Sequence, residues 1–159
     1  MNEFPPMCWK RDDCEISTDP GKIDIQVVHA FLANSYWANG IPLETVRRSI
    51  QHSLCFGVYR NGKQMGFARV ITDYATYAYL ADVFVLEEHR GQGLSKWLME
   101  CVVGHPELQG LRRWALVTRD AHDLYKKFGF EEIRSPQRWM ERHEPNVYTN
   151  ISSEGVGRR

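Results

Sequence analysis

The chain has 159 residues, of which 43% are apolar and 25% are charged, so we expect one ordinary globular domain with a substantial core. Its 20 basic and 20 acidic residues cancel, which gives no reason to expect a nucleic-acid or membrane partner. No apolar stretch approaches the roughly 20 residues that cross a bilayer. The first residues also lack the basic and apolar segments of a secretion signal.

The four cysteines have spacings that match no zinc-binding pattern, so no metal site is predicted. Free thiols in a reducing compartment are the simplest interpretation, and we therefore expect a cytoplasmic protein. These cysteines are Cys8, Cys14, Cys55 and Cys101.

A short strand and two helices are predicted in the first third of the chain. Residues 13–17 are typical of a strand, and Asp24 is a suitable N-cap for a helix over 25–35, whose apolar residues share one face. Pro42 can open a second helix that runs to Gln51.

A three-stranded antiparallel meander is predicted next, because the apolar period changes to that of a strand. Residues 55–59 and 64–71 are typical of a hairpin, since Asn61-Gly62 between them favours a two-residue turn. A third long strand is predicted over 76–86.

The rest of the chain alternates helices and strands. Gly104 and Gly129 favour helix ends, and Asp120 is a suitable N-cap. The predicted elements are a helix over 93–103, a strand over 114–118, a helix over 120–127, and a last strand pair over 130–133 and 138–141.

Residues 1–143 are therefore predicted to form one domain, and residues 144–159, which are polar and aperiodic, a loosely ordered tail. The order of elements is β, α, α, β, β, β, α, β, α, β, β. This order predicts a mixed α/β fold in which the antiparallel meander runs into a parallel strand pair at the centre.

The turn that joins the third meander strand to the next helix carries two glycines, in the run E-E-H-R-G-Q-G-L-S over 87–95. Such a turn exposes backbone N–H groups at the positive end of a helix, which favours a phosphate ligand. The P-loop motif is absent, and the dinucleotide motif fails because Lys96 stands where it needs a third glycine.

The remaining pattern is R-x-x-G-x-G/A, which residues 90–95 match except for Ser95 at the last position. A second pattern, A-x-x-x-Y-x-x-x-G-F, is present over 121–130. With both motifs in this order, the chain resembles the GNAT superfamily of acetyl-CoA-dependent N-acetyltransferases over about residues 13–142. The resemblance implies a GNAT-like fold, with helices on both faces of the sheet and a parallel pair that splays apart.

Acetyl-CoA is the co-substrate that the resemblance implies. The backbone amides of the glycine turn would hold its pyrophosphate, and the strand before the turn would pair with its pantetheine arm. One unpaired amide there would stabilise the oxyanion formed when an amine attacks the thioester. The implied cofactor residues are Phe84, Val85, Arg90, Gly91, Gln92, Gly93, Leu94, Ser95, Ala121 and Phe128.

Tyr125 occupies the position of the family's general acid, which protonates the departing thiolate. A tyrosine with its ordinary pKa near 10 is protonated at neutral pH and can donate. The alternative is a packed aromatic residue whose hydroxyl bonds to the backbone.

Asp82 is the first candidate for the general base. Strand alternation predicts that it shares an apolar face with Leu80 and Phe84, which would raise its pKa. The alternative is a structural carboxylate that pairs with Arg69 on the adjacent strand. Glu87, His122 and water relays are also open.

The resemblance implies an acceptor site between the early helices and the splayed strands, with Tyr36, Trp37, Arg69 and Asp73 as its candidate residues. Aromatic residues with an acid would suit a cationic amine, whereas Arg69 would bind a carboxylate. We expect transfer of acetyl to a primary amine of a small molecule or polypeptide by direct attack on the thioester. A non-catalytic acyl-CoA sensor or subunit is the alternative, and a homodimer is left open.

Overall fold

A computed structural model describes residues 4–150 of the chain. Six strands form one sheet in sequence order: β1 (Cys8–Arg11), β2 (Cys14–Ser17), β3 (Leu54–Arg60), β4 (Lys63–Thr72), β5 (Tyr77–Val85) and β6 (Arg113–Leu116). Five α-helices accompany them: α1 (Ile25–Ala33), α2 (Leu43–Gln51), α3 (Leu94–Val103), α4 (His122–Lys126) and α5 (Val147–Asn150).

All neighbouring strands are antiparallel except β5 and β6, which are parallel. The predicted mixed α/β fold with a meander that leads into a parallel pair is therefore confirmed. The parallel pair, however, lies at one edge of the sheet and not at its centre, because no strand of the described residues follows β6. The hairpin between β3 and β4 turns at Asn61 and Gly62, whose φ angles of 50° and 78° are those of the favoured two-residue turn.

Helices cover both faces of the sheet, and each face carries its own apolar cluster. Phe56 and Val70 belong to the cluster beneath α3, whereas Phe67 and Phe84 belong to the cluster beneath α1 and α2. Phe67 and Val70, an odd number of positions apart in β4, thus point to opposite faces, as the period of a strand requires.

Local sequence signals account for the helix starts with one exception. Asp24 caps α1 as predicted, since its side chain accepts hydrogen bonds from the amides of Gln26 and Val27. The prediction that Asp120 caps α4 is wrong. Ala121 is the N-cap, and its amide donates to the hydroxyl of Thr118 at 3.0 Å.

The predicted last strand pair is also wrong. Within the described chain, residues 130–133 and 138–141 form no strand, and a 3-10 turn occupies Pro136–Arg138. Most of these side chains are exposed, so little apolar burial favours a sheet.

Strand β1 was missed because its sequence, C-W-K-R, is polar and mostly exposed. It pairs with β2 through a tight turn in which Asp12 adopts a φ of 52°. An edge strand of this kind shows little apolar alternation, which is the signal that sequence reasoning uses.

Part of the segment expected to be a tail is described. Helix α5 begins at Val147, and Tyr148 packs against the apolar cluster beneath α1 and α2. The remainder of the expected tail, residues 151–159, lies outside the described residues. Every helix within residues 4–150 is too short or too polar to cross a membrane.

Candidate active site

Strand β5 is separated from its parallel partner over its last residues, because β6 ends at Leu116. Their pairing begins at Tyr77 with Arg113 and ends at Leu80 with Leu116, although β5 continues to Val85. The β6-facing backbone groups of 81–85 therefore border an open edge, called the cleft below, rather than a strand. The resemblance implies a splay between the parallel strands at this place.

A bulge in β5 accompanies this separation. Opposite β4, Ala81 pairs with Arg69 and Phe84 with Phe67, so two residues of β5 stand against the single Ala68. Asp82 lies in the bulge with a φ of 54°, in the left-handed region that side chains other than glycine rarely adopt. A bulge bends and twists its strand, so it changes the direction of the free end of β5.

The bulge also overturns the predicted face of Asp82. Leu80 belongs to the cluster beneath α3 and Phe84 to the cluster beneath α1 and α2, so they lie on opposite faces. The extra residue shifts the alternation by one position. Asp82 instead faces the loop between α1 and α2, where its carboxylate accepts from the indole N–H of Trp37 at 2.9 Å.

The glycine turn lies beyond the open end of β5. Gly91 and Gly93 have φ angles of 80° and 75°, and a Cβ on either would meet nothing within 4 Å. The positive φ, and not crowding by the protein, is what requires glycine here. Gly93 is the N-cap of α3, and the first helical hydrogen bond runs from Trp97 N to Gly93 O, so the first-turn amides have no acceptor inside the helix.

Two arginines hold the turn. Arg90 Nε donates to the carbonyl of Val85 at 3.0 Å, which ties the turn to the end of β5. Arg60 donates to the side-chain oxygen of Gln92 at 2.8 Å and lies 3.2 Å from Asp13. Arg60 was not singled out in the sequence, since it stands at the end of a hairpin strand, far from the motif. Leu94 is buried and Ser95 half-buried in the first turn of α3.

Tyr125 is a buried residue of α4 and packs edge-on against Phe130. Burial raises the pKa of its hydroxyl to about 12, with further contributions from Tyr36 and Asp120. The hydroxyl is therefore protonated across the physiological range and able to donate. From the same motif, Ala121 begins α4 and Phe128 packs against the cluster beneath α3.

Asp82 and Arg69 form an ion pair, with 2.8 Å between Asp82 Oδ2 and Arg69 Nε. Their side chains are only 9% and 16% exposed. The indole N–H of Trp37 donates to the other carboxylate oxygen of Asp82, and the hydroxyl of Ser53 accepts from the Arg69 guanidinium at 3.1 Å. The pairing that the sequence offered as an alternative to base catalysis is therefore present, although the catalytic role itself stays a prediction.

The loop between α1 and α2 reaches across the cleft. Tyr36 and Trp37 are exposed and stack edge-on, with 5.0 Å between their ring centroids. Arg119, in the loop after β6, places its guanidinium carbon 3.8 Å from the centroid of the Tyr36 ring. A chain of contacts thus runs from Asp82 through both aromatic residues to Arg119. Sequence reasoning missed Arg119, which belongs to neither motif.

Asp73 does not join this group. It lies in the turn before β5, at the opposite end of that strand from the bulge, and its carboxylate accepts from the hydroxyl of Thr76 and the amides of Ala75, Thr76 and Tyr77. These hydrogen bonds, with that from the Thr76 hydroxyl foremost, hold the pKa of Asp73 well below its usual range. Its role is to fix the turn.

The weaker base candidates, Glu87 and His122, are exposed side chains at the ends of the turn and of α4. All four cysteines are free, as expected. Burial raises the pKa of both Cys55 and Cys101 to about 12, so these thiols are unreactive near neutral pH. Among residues 4–150, no group of three or more His, Cys, Asp or Glu side chains is placed to hold a metal ion.

A free strand edge beyond a parallel pair, with a glycine-rich helix start past it, suits an extended ligand that ends in phosphates. Comparison with known proteins identifies the family. A model of the GNAT acetyltransferase domain matches residues 51–132. A Gibberella zeae protein named as an acetyltransferase is 33% identical, over 84% of this chain and 88% of its own length.

Solved structures agree. A Xanthomonas campestris protein assigned to the GNAT family is 52% identical, with a TM-score of 0.85, over 88% of this chain and 99% of that one. A Clostridium acetobutylicum acetyltransferase solved with acetyl-CoA is 15% identical, with a TM-score of 0.59, over 82% of this chain and 94% of that one, and shares the fold. The chain belongs to the GNAT family of acetyltransferases.

Proposed function

We propose that the protein transfers the acetyl group of acetyl-CoA to a primary amine by direct attack of the amine on the thioester. The observation that carries this proposal is the alignment of three features. Strand β5 leaves its inner edge free beyond Leu80, the amides of the glycine turn lie past that edge, and the protonated Tyr125 lies on α4 beside the cleft.

The residues of this chain fit the ligand. The open space beside Gly91 and Gly93 leaves room for a pyrophosphate against the backbone, at the positive end of α3. The free edge at Phe84 and Val85 can pair with the amide groups of a pantetheine arm, as an added strand would. When bound, acetyl-CoA supplies an activated acetyl group on sulfur.

Tyr125 would donate its proton to the leaving sulfur. Its raised pKa keeps the proton in place until charge develops on the acceptor atom, and its burial limits competition from water. The amine must reach the site without a proton. Because both oxygens of Asp82 already accept hydrogen bonds, release of that proton to water fits the geometry better than a dedicated carboxylate base.

The test is Tyr125→Phe, with Tyr79→Phe as a matched control on the paired part of β5. We expect kcat to fall about 100-fold, the lower end of general acid catalysis, while the Kd for acetyl-CoA stays nearly unchanged. The control should lose neither. A Tyr125→Phe enzyme with the kcat of the original protein would reduce Tyr125 to a packing residue.

A non-catalytic acyl-CoA sensor is distinguished by product formation. Acetyl-CoA should raise the melting temperature in either case, since it binds the folded state. Release of CoA with a panel of primary amines is expected only of the enzyme. Binding without release for every amine would favour the sensor.

A further inference from the structure

The charged groups around the mouth of the cleft determine what kind of amine it admits. Arg69 was the candidate carboxylate binder, but its guanidinium is held by Asp82 at 2.8 Å and by Ser53 at 3.1 Å. Both carboxylate oxygens of Asp82 likewise accept hydrogen bonds, from Arg69 and Trp37. This pair is neutral as a unit and offers no net charge to an acceptor.

The aromatic surface at the mouth of the cleft is also partly covered by another side chain of the protein. A cationic amine would bind the face of an exposed aromatic ring. The Arg119 guanidinium, however, already lies over the face of Tyr36, with 3.8 Å to the ring centroid. A second cation at this face would meet the charge of Arg119, so the mouth of the cleft disfavours an acceptor that carries a cationic group in addition to its amine.

Arg119 itself is available. It is exposed, and within residues 4–150 no carboxylate forms an ion pair with it. A guanidinium that stacks on a ring keeps its in-plane N–H groups for a carboxylate or phosphate, which it can bind through two parallel hydrogen bonds. Stacking also restricts the side chain in advance, which lowers the entropy lost on binding.

The position of Arg119 relates this charge to the site of transfer. Tyr36 lies between the two, since its ring contacts Arg119 and its hydroxyl contributes to the raised pKa of Tyr125. Asp120, the neighbour of Arg119 in the chain, also contributes to the raised pKa of Tyr125. An acceptor that spans the Tyr36 ring would place one end near Tyr125 and the other at Arg119.

We propose that the acceptor is a primary amine that also carries an anionic group, a carboxylate or a phosphate, and that Arg119 binds this group while Tyr36 holds the guanidinium in place. The inference rests on the proposed function and names the substrate class of the same site. It replaces Arg69 by Arg119 as the residue that recognises the anion.

The experiment compares four amines of similar length: pentylamine, cadaverine, δ-aminovalerate and aminopropyl phosphate. Binding of each to the acetyl-CoA-free protein is measured by equilibrium titration, and kcat/KM with acetyl-CoA is measured separately. We expect one or both anionic amines to bind about fivefold more tightly than pentylamine, and cadaverine to bind least well. The carboxylate and phosphate arms show which anion is preferred.

Arg119→Gln should remove this preference by weakening the binding of the anionic amines, whereas pentylamine, which is a cation at neutral pH and no longer meets the Arg119 charge, should bind no less tightly. Arg113→Gln is the matched control, because Arg113 also stacks on an exposed ring, that of Trp139 at 5.0 Å, at the start of β6. Equal or tighter binding of pentylamine or cadaverine by the unaltered protein would overturn the inference, as would an anion preference that survives Arg119→Gln. Absence of acetylation for every amine would count against the proposed function alone, since binding is measured without turnover.

Discussion

Asp82→Asn is the substitution that best separates a scaffold role from base catalysis. Asparagine tolerates the left-handed backbone at this position, so the bulge can persist. The carboxylate charge is lost, however, and Arg69, 16% exposed, is left without its counter-ion. A hydrogen bond to a charged group is worth about 1.5–3 kcal/mol, so we expect a loss of about 2 kcal/mol in the free energy of unfolding.

For a chain of this size, such a loss lowers the melting temperature by roughly 4–8 °C. Asp82→Ala adds the strain of alanine in the left-handed region, about 1 kcal/mol, and leaves the Trp37 N–H unpaired. Asp82→Gly lacks that strain and should therefore be more stable than Asp82→Ala. In a regular strand glycine is the less stable of the two, so this inverted order reports the bulge itself.

Thermal unfolding and pH–rate profiles are the assays. A scaffold role predicts that Asp82→Asn lowers the melting temperature, slows turnover modestly and leaves the acidic limb of the profile in place. Arg69→Gln should destabilise similarly, and the double variant should be less destabilised than the sum of the two. An Asp82→Asn protein with an unchanged melting temperature, a 100-fold lower kcat and no acidic limb would refute the reasoning and identify Asp82 as the base.

Two further outcomes follow from the turn and the C-terminal segment. Gly93→Ala places a side chain at a φ of 75° and should cost about 1 kcal/mol of stability while weakening acetyl-CoA binding. The control Gly110→Ala, also at a φ of 75° but in the loop before β6, should cost the same stability and leave that Kd unchanged. A chain that stops after His143 loses the packing of Tyr148, so its melting temperature should fall by a few degrees. Its affinity for acetyl-CoA should be retained, because the glycine turn belongs to α3 on the other face of the sheet. Unchanged stability of both this chain and Tyr148→Ala would show that the packing contributes nothing.

Much of the fold was predictable because its signals are local. The cap at Asp24, the turn at Asn61-Gly62 and the left-handed glycine that opens α3 each depend on a few neighbouring residues. The start of α4 was not, because the helix begins one residue later than the cap at Asp120 predicts, with Ala121 as the N-cap and its amide bonded to the hydroxyl of Thr118. The path of the chain after β6 decides where the helix begins, and the presence of a suitable capping residue alone does not.

The candidate site was predictable only where its residues lie close together in sequence. The glycine turn and Tyr125 belong to motifs that are continuous in sequence, so the order of residues alone identifies them. Arg119 and Arg60 could not be identified in this way, since each acts through a partner far away in the chain, Tyr36 and Gln92 respectively. Such pairs depend on how loops meet across the sheet, which periodicity does not encode.

The bulge at Asp82 combines a local backbone irregularity with contacts between residues that are distant in sequence. Strand alternation placed Asp82 in an apolar setting and made it a base, and a single extra residue in β5 moves it to the other side of the sheet. The same irregularity bends the free end of β5 and presents a carboxylate to Trp37, which anchors the loop that carries Tyr36. Backbone strain at this residue persists because Arg69 and Trp37 hold its side chain. Under the proposed function, the opening for the thioester and the loop that contacts the acceptor therefore both depend on one residue, and a substitution that relaxes the bulge should disturb both.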